Sequence, residues 1–275
     1  MHRSYLYCPA DQPDRLSGAL GRGADVVIID LEDGVAASAK PEARGHAARF
    51  LSERRSDLSP ALMVRVNASE ASRDLDALRD VANVCSGWYL PKATIGSVEV
   101  FASLLRSMLG DHPAPIVALI ESAQGVLDAP AIARHGNVTN LALGEADLRA
   151  DLGMAPSPDG SEFLPIRSAI VVASAAARIA SPTAPASTDF RDLDAFRASC
   201  VELRALGFGA RSCVHPAQVP IVAEVFEPSA EELDRARAMI TAFDDALTRG
   251  EGVLVDDAGR MVDEAVVRHA RNLLS

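Results

Sequence analysis

Val26-Val27-Ile28-Ile29-Asp30-Leu31-Glu32-Asp33-Gly34-Val35 passes straight from four β-branched residues into three carboxylates and a glycine. A run of that kind is a buried strand leaving its core at a charged end. The transition recurs along the chain. Ala61-Leu62-Met63-Val64 ends in Arg65-Val66-Asn67, Gly87-Trp88-Tyr89-Leu90 in Pro91-Lys92, Ile116 to Ile120 in Glu121-Ser122, and Val138 to Leu143 in Gly144-Glu145-Ala146-Asp147. Apolar strands with charged C-terminal ends point to a site crowning a parallel sheet.

Short apolar segments near residues 4–8, 25–30, 61–66, 87–90, 115–121, 138–143, 184–188 and 210–214 alternate with helical patterns near 13–22, 38–54, 72–83, 96–109, 126–134, 161–180 and 192–206. Eight strands joined in this way close a TIM (β/α)8 barrel. The seventh is the weakest signal, because Pro182 and Pro185 interrupt its approach and proline fits poorly in a central strand. After the eighth strand, Ser229 caps a long amphipathic helix running to about Thr248. Residues 250–263 then read as a hairpin with an Asp-Ala-Gly turn, followed by a terminal helix. The expected organisation is a barrel domain over residues 1–225 and an extension over 226–275 that covers its own or a neighbouring subunit's site.

The chain has 275 residues, 48% hydrophobic and 24% charged, enough to bury one large core. A net charge of −11 argues against nucleic acid and other polyanions as general partners, while leaving room for a local cationic patch. The N-terminus is too short in its apolar part for a signal peptide, and no apolar run approaches the ~20 residues a membrane span needs. Cys8, Cys85, Cys200 and Cys213 show no CxxC spacing, so reduced, buried thiols and a cytoplasmic location are expected. Gly21-Arg22-Gly23 lacks the rest of a dinucleotide fingerprint and reads as a helix-ending turn.

Glu121 and Asp147 end two successive strands, where neighbouring side chains converge. Two carboxylates suit Mg²⁺, which keeps several waters and accepts a chelating substrate. Glu32 and Asp33, at a third strand end, are placed to hold the metal's waters. Arg65 is the cation of the same rim, suited to a carboxylate or a developing enolate oxygen. Each has a plainer alternative: helix capping or dipole complementarity for Glu121 and Asp147, and neutralisation of Glu32 or Asp33 for Arg65.

Several strings together resemble the citrate lyase β-subunit-like proteins of the HpcH/HpaI aldolase superfamily, across almost the whole chain. They include Tyr7-Cys8-Pro9-Ala10-Asp11, Asp30-Leu31-Glu32-Asp33-Gly34-Val35, Lys40-Pro41-Glu42-Ala43-Arg44, Val64-Arg65-Val66-Asn67, Leu90-Pro91-Lys92, Ile120-Glu121-Ser122-Ala123-Gln124-Gly125, Gly144-Glu145-Ala146-Asp147-Leu148, Thr188-Asp189-Phe190-Arg191-Asp192 and Val214-His215-Pro216-Ala217-Gln218. The resemblance implies Mg²⁺ held by Glu121 and Asp147, with Glu32 and Asp33 on its waters. It implies a keto acid whose carboxylate meets the backbone of Gly144, Glu145, Ala146 and Asp147, and a coenzyme A thioester as the other partner. It also implies Arg65 as the enolate-stabilising cation, and Asp263 as a general acid/base delivered from the tail, commonly onto an adjacent subunit of a trimer or dimer of trimers. Without the resemblance, Asp263 reads as a cap for the terminal helix.

Arg15, Lys40, Arg44 and Lys92 match positions that contact coenzyme A phosphates or pair with rim carboxylates. His215 reads as a structural histidine bonded to its own loop. The chain departs from the family pattern at Arg211, where relatives often carry lysine, and Ser157-Pro158-Asp159-Gly160-Ser161 forms the loop that shapes substrate choice. The activity implied is reversible cleavage of a 3-hydroxyacyl-CoA of the malyl, citramalyl or citryl type into acetyl-CoA and an α-keto acid. The alternatives are the citryl-thioester subunit of a citrate lyase complex, aldol chemistry on free hydroxy-keto acids, and a non-catalytic keto-acid/CoA-binding protein.

Overall fold

The computed structural model describes residues 2–54, 60–110, 112, 114–157, 160–256 and 258–274. Pro158 and Asp159 of the substrate-choice loop and Asp257 of the hairpin turn lie outside the described residues. The chain divides into two compact units, one ending at Phe226 and the other beginning at Glu227.

The first unit is a closed barrel of eight parallel strands in chain order: β1 (Ser4–Pro9), β2 (Val26–Asp30), β3 (Ala61–Arg65), β4 (Gly87–Leu90), β5 (Ile116–Ile120), β6 (Val138–Leu143), β7 (Thr183–Ala184) and β8 (Ala210–Cys213). Around them lie α1 (Pro13–Ala19), α2 (Lys40–Ser52), α3 (Ala71–Leu78), α4 (Ile95–Leu109), α5 (Ala123–Ala133), α6 (Glu145–Leu152), α7 (Leu164–Ala177), α8 (Leu193–Leu206) and α9 (Val219–Phe226). Strands β2 and β5 are buried at every position, as strands covered on both faces must be. Alternation sorts their side chains. Tyr5, Val26, Ile28, Met63, Tyr89, Val117 and Leu119 fill the barrel, while Val27, Ile29 and Trp88 face the helices. Trp88 meets Phe101 of α4 edge to face, with ring centroids 6.4 Å apart.

Two elements differ from the sequence expectation. The seventh strand is only Thr183–Ala184, at the start of the expected stretch instead of running to residue 188. Pro182 and Pro185 bracket it, and neither has an N–H for a ladder. Side chains substitute: Asn140 Nδ2 donates to Ser181 O at 3.0 Å, Thr183 Oγ1 to Asn140 Oδ1 at 3.2 Å, and Arg211 Nε to Pro185 O at 3.2 Å. The second difference is α6, which begins at Glu145, between the expected helices 126–134 and 161–180, so Glu145, Ala146 and Asp147 form a helical first turn.

The second unit holds α10 (Ala230–Thr248), a hairpin of β9 (Leu254–Val255) and β10 (Met261–Val262), and α11 (Glu264–Leu274). Its small core comprises Phe243, Val262 and Val267. Ser229 and Glu232 form a capping box at the start of α10. Among the described residues no helix is long and apolar enough to cross a membrane. All four cysteines are free, and only Cys85 is less than fully buried; burial pushes Cys8 up to about 11 and Cys85 and Cys213 up to about 12, which keeps them as thiols.

At the C-terminal mouth of the barrel, Asp30 and Arg65 are register partners on β2 and β3. Asp30 is 2% exposed. Its Oδ1 accepts from Arg65 Nε at 2.7 Å and from the Glu32 N–H at 2.9 Å, and its Oδ2 from Arg65 Nη2 at 2.7 Å and the Gly34 N–H at 3.0 Å. Residue 34 must be glycine, since a Cβ there would lie 2.4 Å from Asp30 Oδ2. Removing one member of such a pair strands the other charge in the core, so Asp30→Asn costs about 3–5 kcal/mol and lowers the melting midpoint on the order of 10 °C. Denaturant unfolding checks this, and a loss below about 1 kcal/mol would show that the pair does not hold the mouth together.

Candidate active site

Among the cavities at the strand C-termini, two adjoin at Tyr7. One of about 380 Å³ is lined by Tyr7, Asp30, Asp33, Arg65, Glu121, Gly144, Glu145, Ala146 and Asp147 among others. The second, of about 850 Å³, adjoins it through Tyr7, Pro9, Thr188 and Val214 and is bordered by Arg15, Arg22, Phe190 and His215.

Arg65 lies over the Tyr7 ring at 4.8 Å from its centroid. Its Nη1 faces Glu32 Oε2 at 3.0 Å, an ion contact without hydrogen-bond geometry. Burial disfavours the Glu32 anion and raises its pKa, with Arg65 and Lys92 opposing that effect. Arg65 is itself held firmly protonated: burial opposes its charge, but the hydrogen bonds and charge of Asp30 outweigh it. Asp30 and Glu32 thus orient the guanidinium and leave its remaining N–H groups toward the cavity.

Glu121 follows β5 and is 5% exposed. Its Oε1 accepts the Lys92 N–H at 2.7 Å. Its Oε2 has no protein hydrogen bond among the described residues and packs on Gly144, where a Cβ would come within 2.7 Å of it. Burial, then the negative charges of Glu32 and Asp147, push this carboxyl up to about 7 against the pull of the Lys92 N–H. Glu121 is not a helix cap, since Ser122 caps α5 by accepting from Gly125 N at 3.1 Å. Asp147 stands in the first turn of α6, its side chain 43% exposed. Lys92 Nζ reaches Glu32 Oε1 at 2.8 Å, Asp147 Oδ2 at 3.5 Å and Asp33 Oδ2 at 3.9 Å.

The N–H groups of Glu145, Ala146 and Asp147 find no acceptor among the described residues, so the start of α6 presents donors to the cavity. The Glu145 side chain is turned away, paired with Arg167 at 2.6 and 2.9 Å. Among the described residues no group of three or more His, Cys, Asp or Glu is arranged to hold a metal ion. A hard cation here would take Glu121 and Asp147 and fill its shell with water and ligand oxygens, as Mg²⁺ does.

The other residues singled out from the sequence differ in their surroundings. Arg44 is paired with Asp74, 2.7 Å away, and with Glu70, and Lys40 with Asn67, which ties α2 to α3 and the loop before it. Lys92 pairs with rim carboxylates. Arg15 borders the larger cavity; its N–H donates to Gln12 O at 3.0 Å, and its guanidinium has no hydrogen-bond or ion-pair partner among the described residues. Arg211 is buried, its Nη1 donating to Phe196 O and Ser199 Oγ at 3.2 and 2.8 Å, and its guanidinium lies 4.2 Å from the Phe196 ring centroid. His215 Nδ1 accepts from the Ala217 N–H at 3.2 Å, and the ring stacks on Phe190. Asp263 belongs to the second unit and caps α11, its Oδ1 accepting from the Ala265 and Val266 N–H groups at 3.0 Å. The sequence reading missed Asp30 as the partner of Arg65. The available signal was period two: Asp30 shares the inward face of Val26 and Ile28.

Residues 3–216 match the family described as HpcH/HpaI aldolase/citrate lyase. A citrate lyase subunit beta-like protein of Deinococcus radiodurans is 34% identical over 280 residues, covering 99% of this chain and 96% of its own length. A (3S)-malyl-CoA thioesterase of Cereibacter sphaeroides is 33% identical over 285 residues, with 99% and 93% covered. The solved structure of CitE from Mycobacterium tuberculosis in complex with magnesium, acetoacetate and coenzyme A superposes with a TM-score of 0.80 at 32% identity, covering 99% of this chain and 97% of that one. Matched through its barrel and along nearly the full length of these relatives, the chain belongs to the HpcH/HpaI aldolase/citrate lyase family, a family of lyase-type enzymes with thioesterase members.

Proposed function

We propose that this protein is a Mg²⁺-dependent carbon–carbon lyase that reversibly cleaves a 3-hydroxyacyl-CoA of the malyl, citramalyl or citryl type into acetyl-CoA and an α-keto acid. The observation that carries the reading is one cavity bounded by Glu121, Asp147, Arg65 and the unsatisfied N–H groups that open α6. The magnesium, acetoacetate and coenzyme A held by CitE of Mycobacterium tuberculosis support it from outside the chain.

Glu121 and Asp147 would hold the cation, and Glu32 and Asp33 its waters. Bound there, Mg²⁺ acts as a Lewis acid that polarises the oxygens of the keto-acid portion. The N–H groups of Glu145, Ala146 and Asp147 receive the keto-acid carboxylate, with the dipole of α6 behind them. In the cleavage direction the 3-hydroxyl gives its proton to the Asp263 carboxylate, the C2–C3 bond breaks, and C3 becomes the keto carbon. The electron pair remains on the thioester fragment as an enolate, whose oxygen takes the free N–H groups of Arg65. A proton delivered to the enolate carbon completes acetyl-CoA. Asp263 supplies that proton, its Oδ2 having no hydrogen bond among the described residues, and it acts from a neighbouring subunit of a trimer or dimer of trimers. Arg15 and Arg22, bordering the larger cavity with no carboxylate paired to them among the described residues, suit the coenzyme A phosphates.

A second reading, hydrolysis of the thioester, is favoured by the (3S)-malyl-CoA thioesterase relative. Product analysis separates the two, because cleavage releases keto acid and acetyl-CoA whereas hydrolysis releases hydroxy acid and a free thiol. With Mg²⁺ and a panel of malyl-, citramalyl- and citryl-CoA, keto acid appears and EDTA abolishes it. Arg65→Ala loses about 10²–10³ in kcat/KM. Asp263→Ala is inactive, and mixing the two variants after subunit exchange restores part of the activity. Mg²⁺-independent turnover, or none across the panel, would count against the lyase reading.

Glu121 gives the pH dependence its sign. A metal ligand must be deprotonated, and this carboxyl titrates at about 7 in the metal-free protein. Mg²⁺ affinity therefore weakens as pH falls, by about tenfold between pH 8 and pH 6, and Glu121→Gln loses both the binding and its pH dependence. Calorimetric titration at the two pH values provides the check.

A further inference from the structure

Lys92 has a backbone conformation that lysine rarely adopts. It follows β4 with φ of 50°, in the left-handed region, and is one of two non-glycine residues with positive φ among the described residues. Residues kept in that region are held there by their surroundings and cluster at functional sites. Both ends of Lys92 are in use: its N–H donates to Glu121 Oε1 at 2.7 Å, and its Nζ lies 2.8 Å from Glu32, 3.5 Å from Asp147 and 3.9 Å from Asp33. One residue therefore contacts four carboxylates that would otherwise repel one another at the same rim.

We propose that the Lys92 ammonium is an internal counter-ion of this cluster: it holds Glu32, Asp147 and Asp33 together in the metal-free protein while the Lys92 N–H holds Glu121, and a divalent cation must displace the ammonium from Asp147 to bind. The proposal rests on the reading of Glu121 and Asp147 as a metal site. Lysine suits such a role, because its compact charge sits on a flexible four-carbon stem. The side chain is 48% exposed, so it has a route from the cluster into solvent. Arg65, tied bidentately to Asp30 and with a side chain only 12% exposed, has no such freedom. Lys92 is thus a positioning residue that sets metal affinity: the charge it neutralises in the empty site is charge the metal cannot use until the ammonium moves.

The test is Mg²⁺ titration by calorimetry, without substrate, on the wild type, Lys92→Met and Lys92→Arg, together with melting of the metal-free proteins. Removing a unit charge beside a divalent ion tightens binding, so Lys92→Met binds Mg²⁺ roughly tenfold or more tightly. Its metal-free form melts lower than the wild type, and saturating Mg²⁺ restores most of the difference. Lys92→Arg, which keeps the charge, returns the affinity toward the wild-type value. If Lys92→Met does not fold without metal, Lys92→Gln carries the same expectation. A folded uncharged variant that binds Mg²⁺ no more tightly than the wild type overturns the proposal. A wild type that binds no Mg²⁺, with Lys92→Met also silent, instead sinks the metal-site reading beneath it.

Discussion

Asp30 and Arg65 meet side by side on adjacent strands, and nearly everything at the barrel mouth is arranged around that meeting. A buried carboxylate and a buried guanidinium are each costly alone. Here the pair is bidentate, and the two carboxylate lone pairs left over accept the N–H groups of Glu32 and Gly34. The loop after β2 is therefore wound onto Asp30. That winding brings Glu32 to the other side of the same guanidinium and turns its second oxygen to Lys92. Glycine at position 34 is the steric condition for it.

The remaining contacts spread from that pair around the rim. Lys92 carries the network from Glu32 to Asp147 through its ammonium and to Glu121 through its N–H. Gly144 lets the start of α6 approach Glu121 closely enough that the two share one cavity. The result is a negatively charged ring with one fixed cation, Arg65, and one movable one, Lys92. The two differ in physical character, since the guanidinium is locked by two hydrogen bonds to Asp30 and the ammonium, on its flexible stem, by one to Glu32.

Much of this was legible in the residues. The apolar runs ending in charges placed eight strands and the rim carboxylates, because strand burial and strand ends are written in local composition. Ser229 and Glu232 announced their helix by a capping box, and His215 its loop by the turn that follows it. The seventh strand was displaced because two prolines left it with two ladder positions, and its hydrogen bonds moved to side chains of Asn140, Thr183 and Arg211. The helix at Glu145 was missed because Gly144 offers no side-chain cap to mark its start. The four candidate phosphate-binding cations could not be told apart in one dimension: Arg44 and Lys40 are bound to Glu70, Asp74 and Asn67, residues 26 to 30 positions away, and of the four only Arg15 lines either of the two adjoining cavities.

By itself the sequence determined which residue types stand at the ends of buried strands, and hence that carboxylates, one arginine and one lysine would crowd a barrel mouth. Hydrophobic periodicity is a local property and survives in one dimension. Which charges pair was settled only by tertiary structure, since pairing depends on strand register, on the approach permitted by Gly34 and Gly144, and on the left-handed turn at Lys92. Those are distances between segments far apart in the chain, and a few tenths of an ångström in them separates an ion pair from a free ligand.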